Sequence, residues 1–334
     1  MNPIKPNIAI VAGKGIGDAL LTLIIAHNLQ INNYDVTFYS NHIVQLKEWL
    51  PDIEVKPWPA LEDCEKELSR YDLVLADNVS IVGKPYQKEE NYPLLSKKYV
   101  YIALGHIDSR FKWDHTSRIK DLFSGVKFNK LANLASCSGT FTVDRKLSQA
   151  VNCMNFCKNR LKLNGVEKIP HFTPPTQLNL TFSKYPKRIV IHPFSTRHHK
   201  NWPLAKFIKL AIKLKKNGFD PVFISSSDER PKLFKELKNT FPAPLFSNLS
   251  ELAAYTYESK LFVGNDSGPA HLASVLGIPT IVIIYHKRNH HWRADFTRSF
   301  ALLPYLSIKI GNKLRIWKCF LPTSRVYNAV KKML

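Results

Sequence analysis

Three short segments of the sequence bring together residue types that could do chemistry. The first is Gly13-Lys14-Gly15-Ile16-Gly17-Asp18, between the apolar run Ile8–Ala12 and the apolar stretch Ala19–Leu29. That order reads as strand, glycine turn and helix. The glycines let backbone approach a ligand closely, and the helix start supplies partial positive charge. Asp18 stands at the junction and has two readings. It caps the helix, or it is a general base at the C-terminal edge of a sheet. The spacing departs from G-x-G-x-x-G and no acidic residue ends the second strand, Val36–Ser40, so the signal for a dinucleotide is weak.

The second segment runs from His192 to Pro203 and contains Ser195, Thr196 and Lys200. A strand ends here in a hydroxyl-rich loop with a lysine, and a helix starts at Pro203. Hydroxyls, backbone amides and a lysine ahead of a helix can hold a phosphate. A solvated basic loop reads the same way. The third segment runs from Val263 to Thr280. Asp266 follows a buried strand, Ser267 and Gly268 turn the chain, and Pro269 suits a first helical position. The amides of that helix start would face an anion within reach of His271, which is otherwise a structural histidine.

The elements that must position these residues are short strands alternating with helical patterns, the signature of parallel sheets in βαβ units. In the first half the strands are Ile8–Ala12, Val36–Ser40, Leu73–Ala76 and Tyr99–Leu104, with helices at Ala19–Leu29, His42–Leu50 and Arg145–Leu163. Pro170, Pro174, Pro175 and Pro186 interrupt the pattern and mark a linker. The alternation then resumes with strands at Arg188–His192, Pro221–Ser225, Leu261–Gly264 and Thr280–Tyr285. Its helices are Pro203–Lys216, Leu233–Thr240, Leu249–Glu258, Gly268–Leu276 and Pro322–Leu334. Expected domains are 1–170, a linker at 171–187, a second domain at 188–321 and a helix at 322–334 that packs back on the first domain.

A chain of 334 residues with 45% apolar and 22% charged side chains is ordinary globular material. Its five cysteines are scattered and odd in number, so a disulfide framework is not expected. Cys153 and Cys157, one helical turn apart, read as packing. The longest apolar run, Leu272–Tyr285, holds Gly277 and Pro279 and is too short to span a bilayer. Lys14 and Asp18 break the N-terminal apolar stretch, which does not read as a signal peptide. The formal charge is +22, with −3 over residues 1–100 and +25 over 101–334. Such an imbalance marks an anionic partner: nucleic acid, an anionic membrane or a phosphorylated ligand.

The third segment resembles the signature of glycosyltransferase family 9, the lipopolysaccharide heptosyltransferases: Asp-Ser/Thr-Gly-x-x-His-x-Ala, then Leu-Gly-x-Pro-Thr. The second is similar to that family's Ser/Thr loop and Lys-x-Trp-Pro, and Gly15–Asp18 to its N-terminal Gly-x-Gly-Asp. Leu249–Ala254 resembles the helix ahead of the signature. The likeness is dense over 188–300 and 7–30 and faint between them. It implies the α/β GT-B fold, two Rossmann-like domains facing a central cleft. The implied activity is an inverting, metal-independent transfer of heptose from ADP-heptose to a lipopolysaccharide core or related anionic glycan.

By the same resemblance, Asp18 is the base that deprotonates the acceptor, and Ser195, Thr196 and Lys200 hold the diphosphate. Asp266, Ser267, Gly268 and His271 complete the donor pocket, and Glu229 contacts the nucleoside. Gly15 and Gly17, with the basic residues Arg110, Lys112, Arg118 and Lys120, fall on the acceptor side. No cofactor and no metal ligand are expected. The implied partners are a nucleotide-sugar donor and an anionic lipid-linked acceptor. The implied location is cytoplasmic, in peripheral contact with the inner membrane. Nucleic acid is not expected. The sequence departs from the family at Ser225, Ser226, Tyr285 and His286, where glycines are usual. Two other readings are a degenerate member that binds nucleotide or glycan without transfer and an RNA-binding protein, for which no motif is present.

His286-Lys287-Arg288-Asn289-His290-His291-Trp292-Arg293 lacks a supporting Cys or carboxylate and reads as a basic loop, not a metal site. Asp63-Cys64-Glu65 reads as part of a solvated helical face.

Overall fold

A computed structural model describes residues 5–77, 99–102, 104, 120, 125–310 and 314–334. The chain divides into two compact units. One comprises 1–144 and 149–173, the other 145–148 and 174–334, so the main boundary falls between Thr173 and Pro174 in the proline-rich stretch. The expected basic cluster Arg110, Lys112 and Arg118 lies outside the described residues, and Lys120 is exposed.

The first unit is built on a five-stranded parallel sheet of order β3-β2-β1-β4-β5. Its strands are β1 (Asn7–Val11), β2 (Asp35–Tyr39), β3 (Glu54–Lys56), β4 (Leu73–Asp77) and β5 (Tyr99–Ile102). Helices α1 (Ile16–Ile31), α2 (Cys64–Ser69), α3 (Gly125–Ala135) and α4 (Gln149–Asn159) belong to it. Every residue of α1 from Ala19 to Leu29 is buried, because the sheet and α4 pack on it. Thr22, His27 and Asn28 are therefore polar residues in a dry setting and must find partners locally. Thr22 donates its hydroxyl hydrogen to the Asp18 carbonyl at 2.9 Å.

The second unit repeats the plan with the order β10-β9-β8-β6-β7, also parallel. Its strands are β6 (Tyr185–His192), β7 (Asp220–Phe223), β8 (Ser259–Asn265), β9 (Thr280–Ile283) and β10 (Ser299–Leu302). A hairpin, β11 (Ile308–Ile310) and β12 (Leu314–Ile316), follows. Helices α5 (Leu204–Lys216), α6 (Arg230–Leu237), α7 (Leu249–Tyr257), α8 (Gly268–Val275) and α9 (Thr323–Met333) surround the sheet.

Helical spacing explains α5: Phe207, Leu210, Ala211 and Leu214 form its buried stripe. Helix α7 opens on a capping box, in which Asn248 Oδ1 accepts from the Glu251 amide at 2.9 Å. The terminal helix α9 corrects the expectation that it returns to the first domain. Val326, Val330 and Met333 share one core with Phe207, Leu210 and Leu214, so its apolar face is buried against α5 of the second unit.

Two helix boundaries also differ from the sequence reading. Helix α6 starts at Arg230, with Pro231 in its first turn, and stops where Lys238 turns left-handed at φ 47°. The pattern over Arg145–Leu163 overstates α4, which ends at Asn159 ahead of a left-handed Lys162.

In each sheet the chain returns to the other side of its first strand, between β1 and β4 and between β6 and β8. The crevice beyond the strand ends at such a switch point is where open α/β sheets bind ligands. The loops there carry Gly13–Asp18 in one unit and Ser195–Lys200 with Asp266–Gly268 in the other.

Candidate active site

In the second unit, β8 ends in Asn265 and the chain turns through Asp266 and Ser267 into α8. Asn265 is fully buried and holds the neighbouring loop at two points. Its Oδ1 accepts from the Trp202 amide at 3.0 Å and its Nδ2 donates to the Pro193 carbonyl at 2.7 Å. Glycine is required at 264, since a Cβ there would stand 2.9 Å from the His192 carbonyl oxygen and 2.8 Å from the Phe262 ring. The ends of β6 and β8 are thereby packed backbone to backbone.

Lys200 is brought to this edge. Its ammonium donates to Asp266 Oδ2 at 3.3 Å and lies 5.8 Å from the centre of the Tyr285 ring. The loop carrying it is fastened from behind by the C-terminal segment. Trp317 Nε1 donates to the His199 carbonyl at 3.1 Å, and Trp202 Nε1 donates to the Leu321 carbonyl at 3.0 Å. Tyr285 packs edge-on against His199 and beside Trp317, so the bulky residue at 285 is part of the support of this loop. Ser195 is buried and donates to Asn201 Oδ1 at 2.6 Å, while Thr196 is exposed.

On the other side of Asp266, His271 Nε2 lies 3.9 Å from Oδ1. Burial pushes the His271 pKa down; Asp266 opposes the effect but does not reverse it. The ring is therefore neutral near pH 7. Asp266 thus aligns a cation and a neutral imidazole at the start of α8, where the helix dipole adds positive potential.

A second chain of groups runs along the same edge. His192 Nδ1 and Ser267 Oγ are 3.0 Å apart, and His192 Nε2 is 3.5 Å from Glu229 Oε2. A carboxylate can only accept, so Nε2 faces Glu229 as the donor. Burial pushes the Glu229 carboxyl up, but His192 and the Ser226 amide, which donates at 2.9 Å, together hold it below the usual range. Beside Glu229, Ser225 Oγ and Arg230 Nη1 are buried without a hydrogen-bond partner among the described residues.

Asp18 occupies the corresponding place in the first unit. It is half-buried in the first turn of α1, with its carboxylate folded over Gly15. A Cβ at Gly15 would come within 2.8 Å of Asp18 Oδ2. Gly17 lies in the same turn and is half-buried. Asp77 ends the adjacent β4 and is buried.

Residues 156–301 match the family description "Glycosyltransferase family 9 (heptosyltransferase)". Over these residues the chain is similar to glycosyltransferase family 9. A curated relative, lipopolysaccharide heptosyltransferase 3 of Escherichia coli, is 29% identical over 112 residues, 31% of this chain and 33% of the relative. The chain thus spans about a third of the length of the curated relative it matches.

Solved structures are similar over the whole chain. A family 9 glycosyl transferase from Veillonella parvula has a TM-score of 0.64 at 17% identity, covering 100% of this chain and 98% of that one. Heptosyltransferase WaaC of E. coli, solved with ADP, has a TM-score of 0.65 at 13% identity, covering 98% and 100%. E. coli ADP-heptose heptosyltransferase II has a TM-score of 0.62 at 16% identity, covering 98% of each chain. These likenesses show the GT-B fold, two parallel-sheet α/β domains.

Within residues 156–301 the structure gathers Lys200, Asp266, Ser267 and His271 at one sheet edge, with Glu229 joined through His192. Sequence reasoning missed His192, Asn265, Asn201 and the support from Trp317. His192 and Asn265 are the last residues of adjacent parallel strands, a position at which polar side chains point to function. Trp317 carried no local signal. Among the described residues, no helix is long and apolar enough to cross a membrane.

Proposed function

We propose that this family 9 glycosyltransferase moves a sugar, heptose by family likeness, from a nucleoside diphosphate to an anionic lipid-linked glycan, with inversion and without a catalytic metal. The observation that carries the reading is the edge of the second sheet. Lys200, the start of α8 and the ionised Glu229 carboxylate are what a diphosphate and its nucleoside would engage.

The donor's diphosphate takes the ammonium of Lys200 and the hydroxyls of Ser195 and Thr196, while Asp266 keeps Lys200 and His271 aligned. Glu229, held ionised, accepts from the nucleoside's sugar hydroxyls. Asp18 takes the proton of the acceptor hydroxyl as its oxygen bonds to the anomeric carbon. The bond from that carbon to the diphosphate breaks on the opposite face, and its electron pair leaves with the phosphate. Charge growing on the leaving group is stabilised by fixed cations and amide dipoles, which makes a divalent ion unnecessary. The +25 over residues 101–334 supports an anionic acceptor at an anionic leaflet, with peripheral binding to the membrane surface.

Mass spectrometry of the protein incubated with nucleotide sugars and core oligosaccharide acceptors tests this reading. The expected result is one acceptor gaining one sugar, with release of nucleoside diphosphate. Binding of ADP without any product under all pairings would instead establish a non-transferring binder. Tighter binding of random RNA than of ADP at physiological salt would displace both. Co-sedimentation with anionic but not neutral vesicles, reversed by salt, is expected for the membrane contact.

A further inference from the structure

His27 sits in the middle of α1, 2% exposed, and its Nε2 lies 2.8 Å from Glu167 Oε2. The same carboxylate oxygen is 3.1 Å from Nε2 of His171, and the two imidazole rings are 4.4 Å apart between centres. Two imidazole nitrogens and one carboxylate oxygen therefore converge, all within 4.8 Å of one another. These residues lie away from the Asp18 turn, more than two helical turns along α1, and the proposed transfer does not use them.

The backbone around them is held in place. Asn28, fully buried, clamps Glu167 at both main-chain groups: its Nδ2 donates to the Glu167 carbonyl and its Oδ1 accepts from the Glu167 amide, each at 2.8 Å. One turn on, Asn32 does the same to Asn164, at 3.0 Å in each direction. The two clamps dock residues 164–167 along α1 and set Glu167 beside His27 before any ligand arrives.

We propose that His27 Nε2, the Glu167 carboxylate and His171 Nε2 bind one divalent transition-metal ion of the zinc class. The donor set, two imidazoles and a carboxylate, is one that zinc, cobalt and nickel take readily. Four-coordinate zinc holds nitrogen and oxygen at about 2.0–2.2 Å, so its ligand atoms stand about 3.3 Å apart. Closing the set to that geometry takes small movements of the exposed ends of Glu167 and His171, while His27 is the fixed member. Without metal, His27 Nε2 donates a proton to the Glu167 carboxylate; that proton leaves to solvent as the ion takes its place, and Asp52 adds negative charge nearby. Water completes the fourth position, because Glu167 and His171 are exposed on their outer side. The ion would clip the segment ending at Thr173, where the first unit ends, to its central helix. This role is structural and distinct from transfer.

The test uses the full-length protein without an affinity tag, stripped with chelator and titrated with Co²⁺ alone. Uptake of one Co²⁺ per chain with the visible absorption of four-coordinate cobalt is expected, and Zn²⁺ should displace it. His171→Ala and Glu167→Gln, both at exposed side chains, should each weaken Co²⁺ binding at least about tenfold. Zn²⁺ should raise the melting temperature of the wild type and leave that of His171→Ala unchanged. Absence of saturable Co²⁺ uptake would overturn the proposal. So would uptake that neither substitution alters, since the metal would then sit elsewhere, as on the histidines of 286–291.

Discussion

Lys200 and Asp266 come from loops after neighbouring parallel strands, 66 residues apart in sequence, and meet at 3.3 Å where α8 begins. Neither side chain is more than 16% exposed, so the pair is shielded from solvent. Asp266 keeps the ammonium in position and lowers the cost of holding it there before a donor arrives. In the proposed donor complex a diphosphate joins this pair and shares the cation.

Lys200→Ala should therefore weaken binding of ADP by about 1.5–3 kcal/mol, the worth of a hydrogen bond to a charged group. Calorimetry measures this directly. Unchanged affinity would place Lys200 outside the donor site.

Asp18→Asn removes the proposed base and keeps the side chain's size over Gly15. Turnover should fall at least about a hundredfold, the lower range for general base catalysis. Affinity for the donor should stay near that of the wild type, since the loss falls on the transition state. Near-normal turnover in a steady-state assay would leave Asp18 with only its place at the helix start.

Chelation should leave the initial rate of transfer unchanged if, as proposed, Lys200 and the α8 dipole carry the cationic role. The assay belongs at a temperature well below melting of the metal-free protein, so that any clip at His27, Glu167 and His171 does not enter. A rate lost to EDTA and restored by Mg²⁺ or Mn²⁺ would reassign that role to an ion.

His271 gives the second unit a pH dependence of stability. Its folded pKa lies below the unfolded value of about 6.5. As pH falls through that value, the unfolded chain takes up a proton that the folded chain refuses. Stability then falls, by at most about 1.4 kcal/mol per pH unit from this one group. Above the unfolded value the contribution is fully present. Chemical denaturation of wild type and His271→Gln between pH 7.5 and about 5 should show a shallower slope for the variant. Parallel slopes would mean that His271 titrates alike in both states.

The sequence alone determined the parts whose cause is local. Alternating apolar runs and helical stripes specify two parallel α/β units, because strand and helix periods are written in neighbouring residues. The signatures at Gly15–Asp18, Ser195–Lys200 and Asp266–His271 are contiguous and sit at strand ends, so the candidate residues could be picked out from sequence as well.

Only the tertiary structure decided which groups meet. Helix α9 carries an amphipathic pattern that states that a face is buried but not against what; packing on α5 settled it, since apolar faces are interchangeable. The tie from Trp317 to the Lys200 loop is an indole N–H donating to a carbonyl 118 residues away, with no local trace. His27 and Glu167 are 140 residues apart, and nothing near either one names the other. What joined them was a pair of asparagine clamps along a buried helix, and the reason is general. A polar group taken out of water must be paired, and the fold chooses the partner.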